Sequence, residues 1–196
     1  WQVARILESL EKKGLLDDTL VLFTSDHGEF LGDFNCFGKR SLHDPSSRIP
    51  MLARLPSRFK ADATCEAPAS LVDVLPTLLA AAGQPWKESG GDGVDLAALA
   101  KGEETRDGVY SQWSSGANAQ YLLVTRRWKY FYSVADEKEF LFDRLTDPHE
   151  QRNQAGLSLV AAEKASLRRT LLEYQKKNGV DAVSDDGKGG LAWQRF

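Results

Sequence analysis

The order of apolar and polar residues at the start of the chain predicts a helix followed by a buried strand. Four apolar residues recur at the spacing of one helix face: Val3, Ile6, Leu7 and Leu10. Gly14 follows, where such a helix ends. Residues 20–24 then form a continuous apolar run, which is typical of a strand inside a parallel sheet covered by helices. In such sheets ligands bind beyond the carboxyl ends of the strands, where residues 25–28 lie.

Further along, the pattern changes to strands followed by one helix. A helix is predicted over residues 71–82. Strand-like segments follow at 109–113, 120–133 and 139–143, the middle one long enough for a bent strand or a hairpin. A helical stripe then runs from Leu157 to Tyr174, and residues 181–190 are predicted to be a mobile tail. The sequence therefore predicts two domains: residues 1–104 belong to an α/β sheet domain, and residues 105–196 form a small α+β subdomain with an antiparallel sheet and a C-terminal helix.

Composition and charge exclude several classes of protein. The chain has 196 residues, of which 42% are hydrophobic and 27% charged, and these are the proportions of a globular protein. Its 25 basic and 28 acidic residues give a net charge of −3, so nucleic acid and an anionic membrane are not expected partners. No apolar run approaches the roughly 18 residues of a membrane span. Cys36 and Cys65 are too few for a zinc cluster, and the sequence leaves open whether they pair.

Asp26 and His27 are the strongest candidates for chemistry that the pattern alone supplies. Two adjacent side chains at the end of a strand, followed by Gly28, can both turn toward one cation. A carboxylate suits a hard cation, whereas an imidazole favours zinc, manganese or iron. The alternative is that Asp26 caps a turn and His27 packs beside it.

Motifs spread over nearly the whole chain resemble those of the sulfatase family of the alkaline phosphatase superfamily. In chain order they are Thr24-Ser25-Asp26-His27-Gly28-Glu29, Leu31-Gly32-Asp33, Gly38-Lys39-Arg40, Ser47-Arg48-Ile49-Pro50, Val72-Asp73 with Pro76-Thr77, Gly91 to Leu99, Lys129-Tyr130, Leu141-Phe142-Asp143, Asp147-Pro148 and Glu150 to Asn153. The resemblance implies the C-terminal half of a sulfatase. Residues 1–104 would then be the end of an alkaline-phosphatase-like α/β domain.

The resemblance also implies roles for individual residues. Asp26 and His27 fall on metal-ligand positions, which the family completes with carboxylates from the beginning of its chain. The family usually carries calcium there, and the imidazole leaves manganese or zinc open. Lys39 matches the catalytic lysine that grips the sulfate and neutralises charge on the leaving oxygen. The alternative for Lys39 is an ordinary loop lysine.

Two neighbours of Lys39 are candidate substrate contacts. Arg40 could touch the anionic substrate, or it could pair with a nearby aspartate. His43 could line the sulfate-binding pocket, or it could be a loop histidine bonded to Asp44. Phe34 stands where many relatives have histidine, and this difference could alter specificity.

The nucleophile of the family is absent from these 196 residues. Sulfatases attack with a hydrated formylglycine, made from Cys or Ser in a C/S-x-P-x-R motif near the N-terminus. Cys65 has a proline one position late and no arginine, and Cys36 has Gly38 in place of the proline. We therefore expect the formylglycine, and the remaining metal ligands, in a missing N-terminal half of the same protein.

These observations predict hydrolysis of the sulfate ester of a small molecule or glycan, with a divalent cation as cofactor. One alternative is a phosphonate monoester or phosphodiester hydrolase of the same superfamily. Another is a truncated, non-catalytic fragment or binding module, because the nucleophile is missing. A periplasmic or secreted location is implied by the resemblance alone.

Overall fold

The computed structural model, which describes residues 1–86, 91–180, 183–185 and 191–193, divides the chain into two units. Unit 1 comprises Trp1–Asp26 and Ile49–Arg106, and unit 2 comprises His27–Arg48 and Asp107–Phe196. The sequence pattern contains no sign that residues 27–48 belong with the C-terminal part of the chain. The predicted domain limits, 1–104 and 105–196, stay a prediction.

The helices and strands are, in chain order, α1 (Gln2–Lys12), β1 (Val21–Thr24), α2 (Asp44–Ser47), β2 (Met51–Arg54), α3 (Val74–Ala81), α4 (Leu96–Lys101), β3 (Val109–Trp113), β4 (Gln120–Val124), β5 (Trp128–Ser133), β6 (Lys138–Asp143), α5 (Ala161–Lys177), β7 (Val183–Asp185) and β8 (Leu191–Trp193). The helix predicted at the start of the chain is confirmed. It ends before Gly14, whose φ of 66° is the left-handed conformation that glycine adopts without strain.

The parallel setting predicted for β1 is wrong among the described residues. β1 pairs antiparallel with β2, and Phe23 lies opposite Leu52. Both side chains are exposed, at 46% and 58% of their surface. A continuous apolar run indicates that a strand has two faces to cover, but it does not set the direction of its neighbour. In unit 1 those faces are only partly covered.

The helix predicted over residues 71–82 is confirmed as a 3₁₀ turn (Leu71–Asp73) continuing into α3. Asp73 is fully buried and accepts hydrogen bonds from the backbone N–H of Ser70 at 2.7 Å and of Val94 at 3.0 Å. Its carboxylate also pairs with Arg106. Ser70 and Asp73 therefore form a capping box that fixes the start of the helix.

Unit 2 contains a four-stranded antiparallel meander in the order β3-β4-β5-β6, with α5 packed on one face. The predicted antiparallel sheet and C-terminal helix are therefore confirmed. Residues 120–133 are a hairpin of β4 and β5. α5 is 17 residues long, and no helix in the described ranges is long and apolar enough to cross a membrane.

The tail predicted to be mobile is described only in part. Its residues 183–185 form β7, which pairs antiparallel with β8. The other residues of the predicted mobile segment lie outside the described ranges.

Candidate functional site

Four of the five predicted site residues lie on one closed segment of unit 2, residues 27–48. The backbone N–H of Gly28 donates to the carbonyl of Ser46 at 2.9 Å, and the N–H of Phe30 donates to the carbonyl of Gly38 at 3.0 Å. The four residues on the segment are His27, Lys39, Arg40 and His43. Asp26, the fifth, immediately precedes the segment and is assigned to unit 1.

Gly28 is required by the way the segment closes. A Cβ atom at this position would lie 2.1 Å from the carbonyl oxygen of Pro45, a distance that no real contact allows. Close packing against Pro45 therefore explains why the Asp-His-Gly motif ends in glycine. It lets the backbone after His27 lie directly against the Pro45–Ser46 backbone.

The donor chemistry of Asp26 and His27 fits a divalent cation. His27 Nδ1 lies 2.7 Å from the carbonyl oxygen of Gly28. Because a carbonyl can only accept, this contact places a hydrogen on Nδ1, and in that tautomer of the imidazole Nε2 carries the lone pair, which is the arrangement typical of a metal-ligating histidine. Asp26 is exposed and adds a carboxylate. Among the described residues, no group of three or more His, Cys, Asp or Glu side chains is arranged to hold a metal ion.

Lys39 and Arg40 are both exposed. They directly follow Gly38, whose carbonyl accepts the hydrogen bond from Phe30 N–H. Neither forms a hydrogen bond or ion pair within the described part of the chain. Arg48, not Arg40, pairs with Asp44, at 3.4 Å. The catalytic role of Lys39 and the substrate role of Arg40 stay predictions.

Aromatic rings surround His43. The centroids of five phenylalanine rings lie within 6.3 Å of its ring: Phe34 at 4.7 Å, Phe131 at 5.0 Å, Phe140 at 5.4 Å, Phe142 at 5.7 Å and Phe30 at 6.3 Å. Its Nδ1 lies 2.8 Å from Ser41 Oγ. Burial, together with the charge of Lys129, lowers the pKa of His43 to about 4. His43 is therefore neutral at pH 7.

Both cysteines are free. Cys36 is half-buried, and its backbone carbonyl accepts a hydrogen bond from Gly32 N–H at 2.9 Å inside the closed segment. Cys65 is exposed in unit 1.

Sequence reasoning missed a buried ionic cluster centred on Lys129, which is 1% exposed. Lys129 Nζ lies 2.6 Å from Asp44 Oδ1, 2.7 Å from Glu150 Oε1 and 3.0 Å from Ser47 Oγ. Glu150 Oε2 also accepts from the backbone N–H of Asp44 at 2.8 Å. Lys129 and Glu150 both stand in motifs that resemble the family's, and this resemblance was the available signal.

The two carboxylates of this cluster respond differently to burial. Burial raises the pKa of Glu150 to about 7, Lys129 opposes this shift and the neighbouring charge of Asp44 adds to it. Burial also acts on Asp44, but the charge of Lys129 and its hydrogen bond outweigh that effect and lower the pKa of Asp44. The ammonium of Lys129 thus lies near two carboxyl groups. It outweighs the effect of burial on the pKa of Asp44 but not on the pKa of Glu150.

Comparisons with known proteins agree with the resemblance to sulfatases. The sulfatase family model matches residues 1–84. The chain is 34% identical over 162 residues to a choline-sulfatase of Rhizobium meliloti (strain 1021), covering 79% of this chain and 30% of that protein. It is 32% identical over 187 residues to an N-acetylglucosamine-6-O-sulfatase of Bacteroides thetaiotaomicron, covering 89% of this chain and 33% of that protein.

Solved structures share the fold. A protein in complex with its substrate D-glucosamine-2-N,6-O-disulfate matches with a TM-score of 0.81 and 29% identity, covering 91% of this chain and 38% of the other. A phosphonate monoester hydrolase from Silicibacter pomeroyi matches with a TM-score of 0.76 and 29% identity, covering 98% of this chain and 42% of the other.

Fold and motifs thus define a mixed α/β protein of the kind found in ester hydrolases of this superfamily. The chain belongs to the sulfatase family. It spans about a third of the length of the curated relatives it matches, at 30% and 33% for the two above.

Proposed function

We propose that the protein hydrolyses sulfate esters and that this chain is the C-terminal part of the sulfatase. The observation that carries the proposal is the closed segment 27–48, on which His27-Gly28 of the Asp-His-Gly motif and the Gly38-Lys39 motif are held by two backbone hydrogen bonds. Relatives that carry the name sulfatase match 79% and 89% of the chain. An N-terminal part of the same protein supplies the formylglycine nucleophile.

In this proposal Asp26 and His27 hold a divalent cation, with calcium first and manganese or zinc as alternatives. The carboxylate and the Nε2 lone pair of His27 are the donors. The cation, when bound, polarises the sulfate group. The exposed ammonium of Lys39 stabilises the charge that develops on the leaving oxygen, and Arg40 binds the anionic substrate. His43 is neutral, so it contributes a hydrogen bond rather than a charge.

The proposed substrate is a sulfated glycan or small molecule. Two similar proteins support this class, because one is named N-acetylglucosamine-6-O-sulfatase and the other was solved with D-glucosamine-2-N,6-O-disulfate. A periplasmic or secreted location belongs to the same proposal.

Substitution of Lys39 tests the proposed role of its ammonium. The test uses the whole protein as its native source produces it. In that protein we expect Lys39→Ala to lower kcat for a sulfate ester by about 100-fold or more, because the ammonium that stabilises charge on the leaving oxygen is lost. Lys60→Ala, which removes an exposed lysine of unit 1, is the matched control and leaves kcat unchanged. Equal kcat values for Lys39→Ala and Lys60→Ala would remove Lys39 from the catalytic machinery.

A phosphonate monoester hydrolase is the second candidate function. The match to the enzyme from Silicibacter pomeroyi favours it, since that match covers 98% of this chain. Paired sulfate and phosphonate esters with the same leaving group distinguish the two functions.

A further inference from the structure

Three buried polar side chains from the second part of unit 2, residues 107–196, fasten residues 41–48 to the sheet. Gln120, on β4, accepts a hydrogen bond from the backbone N–H of Leu42 at 3.1 Å. Lys129, on β5, binds the side chains of Asp44 and Ser47. Glu150, in the turn after β6, binds Lys129 and the backbone N–H of Asp44. All three are at most 9% exposed, so these contacts are shielded from water.

The fastened residues also carry the backbone that holds His27. The carbonyl of Ser46, inside α2, accepts from Gly28 N–H at 2.9 Å. The carbonyl of Gly28 in turn accepts from His27 Nδ1 at 2.7 Å. A continuous series of hydrogen bonds and covalent links therefore connects Glu150 to the imidazole of His27.

Burying an ammonium between two carboxylates is a costly way to gain stability alone. Replacing buried ion pairs by well-packed apolar residues is often neutral or stabilising, whereas in some proteins a buried polar or ionic group instead fixes one arrangement of the chain. Glu150 adds backbone strain, because its φ of 55° is left-handed and rare for a residue that is not glycine. Both features show that the geometry around Glu150 is closely constrained.

We propose that Lys129 and Glu150 are positioning residues: they fix residues 41–48 on the sheet of unit 2 and, through Ser46 and Gly28, set the orientation of the His27 imidazole. Any catalytic contribution of the positioned residues rests on the proposed sulfatase function. The attachment of residues 41–48 to the sheet does not depend on that function, and it can be measured separately.

Unit 2 offers a matched control for this proposal. Glu139, on β6, is a half-buried carboxylate bonded to Lys164 at 2.9 Å and to Tyr130 Oη at 2.8 Å. It joins the sheet to α5, and within the described ranges its side chain bonds to no residue of the segment 27–48. Glu139→Gln therefore disturbs an ionic cluster of the same unit without touching the closed segment.

Amide hydrogen exchange measures how firmly residues 41–48 are attached to the sheet. In Glu150→Gln we expect exchange at Gly28, Leu42 and Asp44 to become about tenfold faster, while the central strands β4 and β5 keep their protection. In Glu139→Gln we expect those three amides to be unchanged. Lys129→Met is a second variant, which disrupts the same cluster by removing its ammonium. Unchanged exchange of the three amides in both cluster variants, or a uniform increase across unit 2, would overturn the proposal.

Steady-state kinetics measure how the attachment of residues 41–48 affects turnover. In the natively expressed protein, Glu150→Gln should lower kcat for a sulfate ester about tenfold with KM within about twofold, since misplaced groups lose transition-state contacts first. Glu139→Gln should leave both constants near the parent values. Equal kinetic losses in the two variants would reduce Glu150 to a general stability role. A parent protein without sulfate ester hydrolysis would overturn the proposed function, whereas the exchange result would still decide whether Glu150 holds the segment.

Discussion

The environment of His43 sets its protonation state. Five phenylalanine rings replace water around the imidazole, and the ammonium of Lys129 repels a second positive charge. Both effects disfavour the charged form. A neutral His43 binds Ser41 and packs against the sheet of unit 2, whereas an imidazolium there would be poorly solvated.

This environment predicts a pH dependence of stability. The pKa of His43 is about 4 in the folded chain and about 6.5 when unfolded, so the unfolded state binds more protons between these values. The contribution of His43 to the unfolding free energy should therefore fall as pH drops from 6.5 to 4, by about 2 kcal/mol after allowance for partial exposure. Imidazole NMR titration of His43, together with urea unfolding at several pH values, checks this. A His43 titration near 6.5 would contradict the prediction.

Glu150 acts in the opposite direction over a neighbouring range. Its pKa is raised from 4.5 to about 7, so its contribution to stability is present below pH 4.5 and is lost as pH rises through 7. The two opposing slopes overlap, and comparison of the parent with Glu150→Gln separates them.

Residues that act through distant partners could not be found in the sequence. Asp26, His27 and Lys39 stand in local motifs, so the resemblance identifies them without any tertiary information. Lys129 and Asp44 are 85 positions apart, and Leu42 and Gln120 are 78 apart. No spacing rule joins residues at such separations. Lys129-Tyr130 is recognisable as a motif, but the partners of Lys129 are visible only in the folded chain.

At the scale of elements, hydrogen bonds explain the Val72-Asp73 and Pro76-Thr77 motif. Thr77 is fully buried, and its Oγ1 donates to the carbonyl of Asp73 and accepts from the backbone N–H of Leu96 at 2.9 Å. Asp73 and Thr77 thereby tie the start of α3 to the chain before and within α4. A functional role for this motif is unnecessary.

Thr77→Val should destabilise unit 1 by about 1–3 kcal/mol, because it leaves the N–H of Leu96 buried without an acceptor. Thr77→Ser keeps the hydroxyl and is the matched control, with a smaller loss from the missing methyl group. Chemical denaturation of the three proteins measures both values. A Thr77→Val variant as stable as the parent would show that the Leu96 N–H has another partner.

Elements with strong periodicity were predictable, whereas the pairing of β1 was not. The apolar spacing of α1 and the segments of β3 and β6 agree with the structure to within about one residue at most of their ends. The run at residues 20–24 correctly indicated a strand, but the antiparallel partner β2 could not be inferred from it. Direction depends on what the rest of a sheet contains, and a single strand does not encode it.

At the scale of the whole molecule, unit 1 leaves much apolar surface exposed. Phe23 and Leu52 lie side by side on its two-stranded sheet, and Val72, Leu75 and Leu78 are 54%, 53% and 46% exposed. Apolar groups at this density normally pack against other protein. In a sulfatase as long as the relatives, we expect the remainder of the α/β domain to cover them.

The exposed pair makes this expectation measurable. The 196-residue chain should bind the dye ANS, and Phe23→Ser with Leu52→Ser should reduce the fluorescence. Leu159→Ser removes a single leucine of unit 2 that is 89% exposed, and it should have a smaller effect. Equal fluorescence from the parent and the double variant would show that this pair is not the binding surface.

The most direct test of the central claim is kcat/KM of the natively expressed protein for a sulfate ester and a phosphonate monoester that share one leaving group. The account predicts a clear preference for the sulfate ester, and a loss of about 100-fold or more in kcat for that ester in Lys39→Ala. A preference for the phosphonate ester would contradict the assignment as a sulfatase and favour the phosphonate monoester hydrolase.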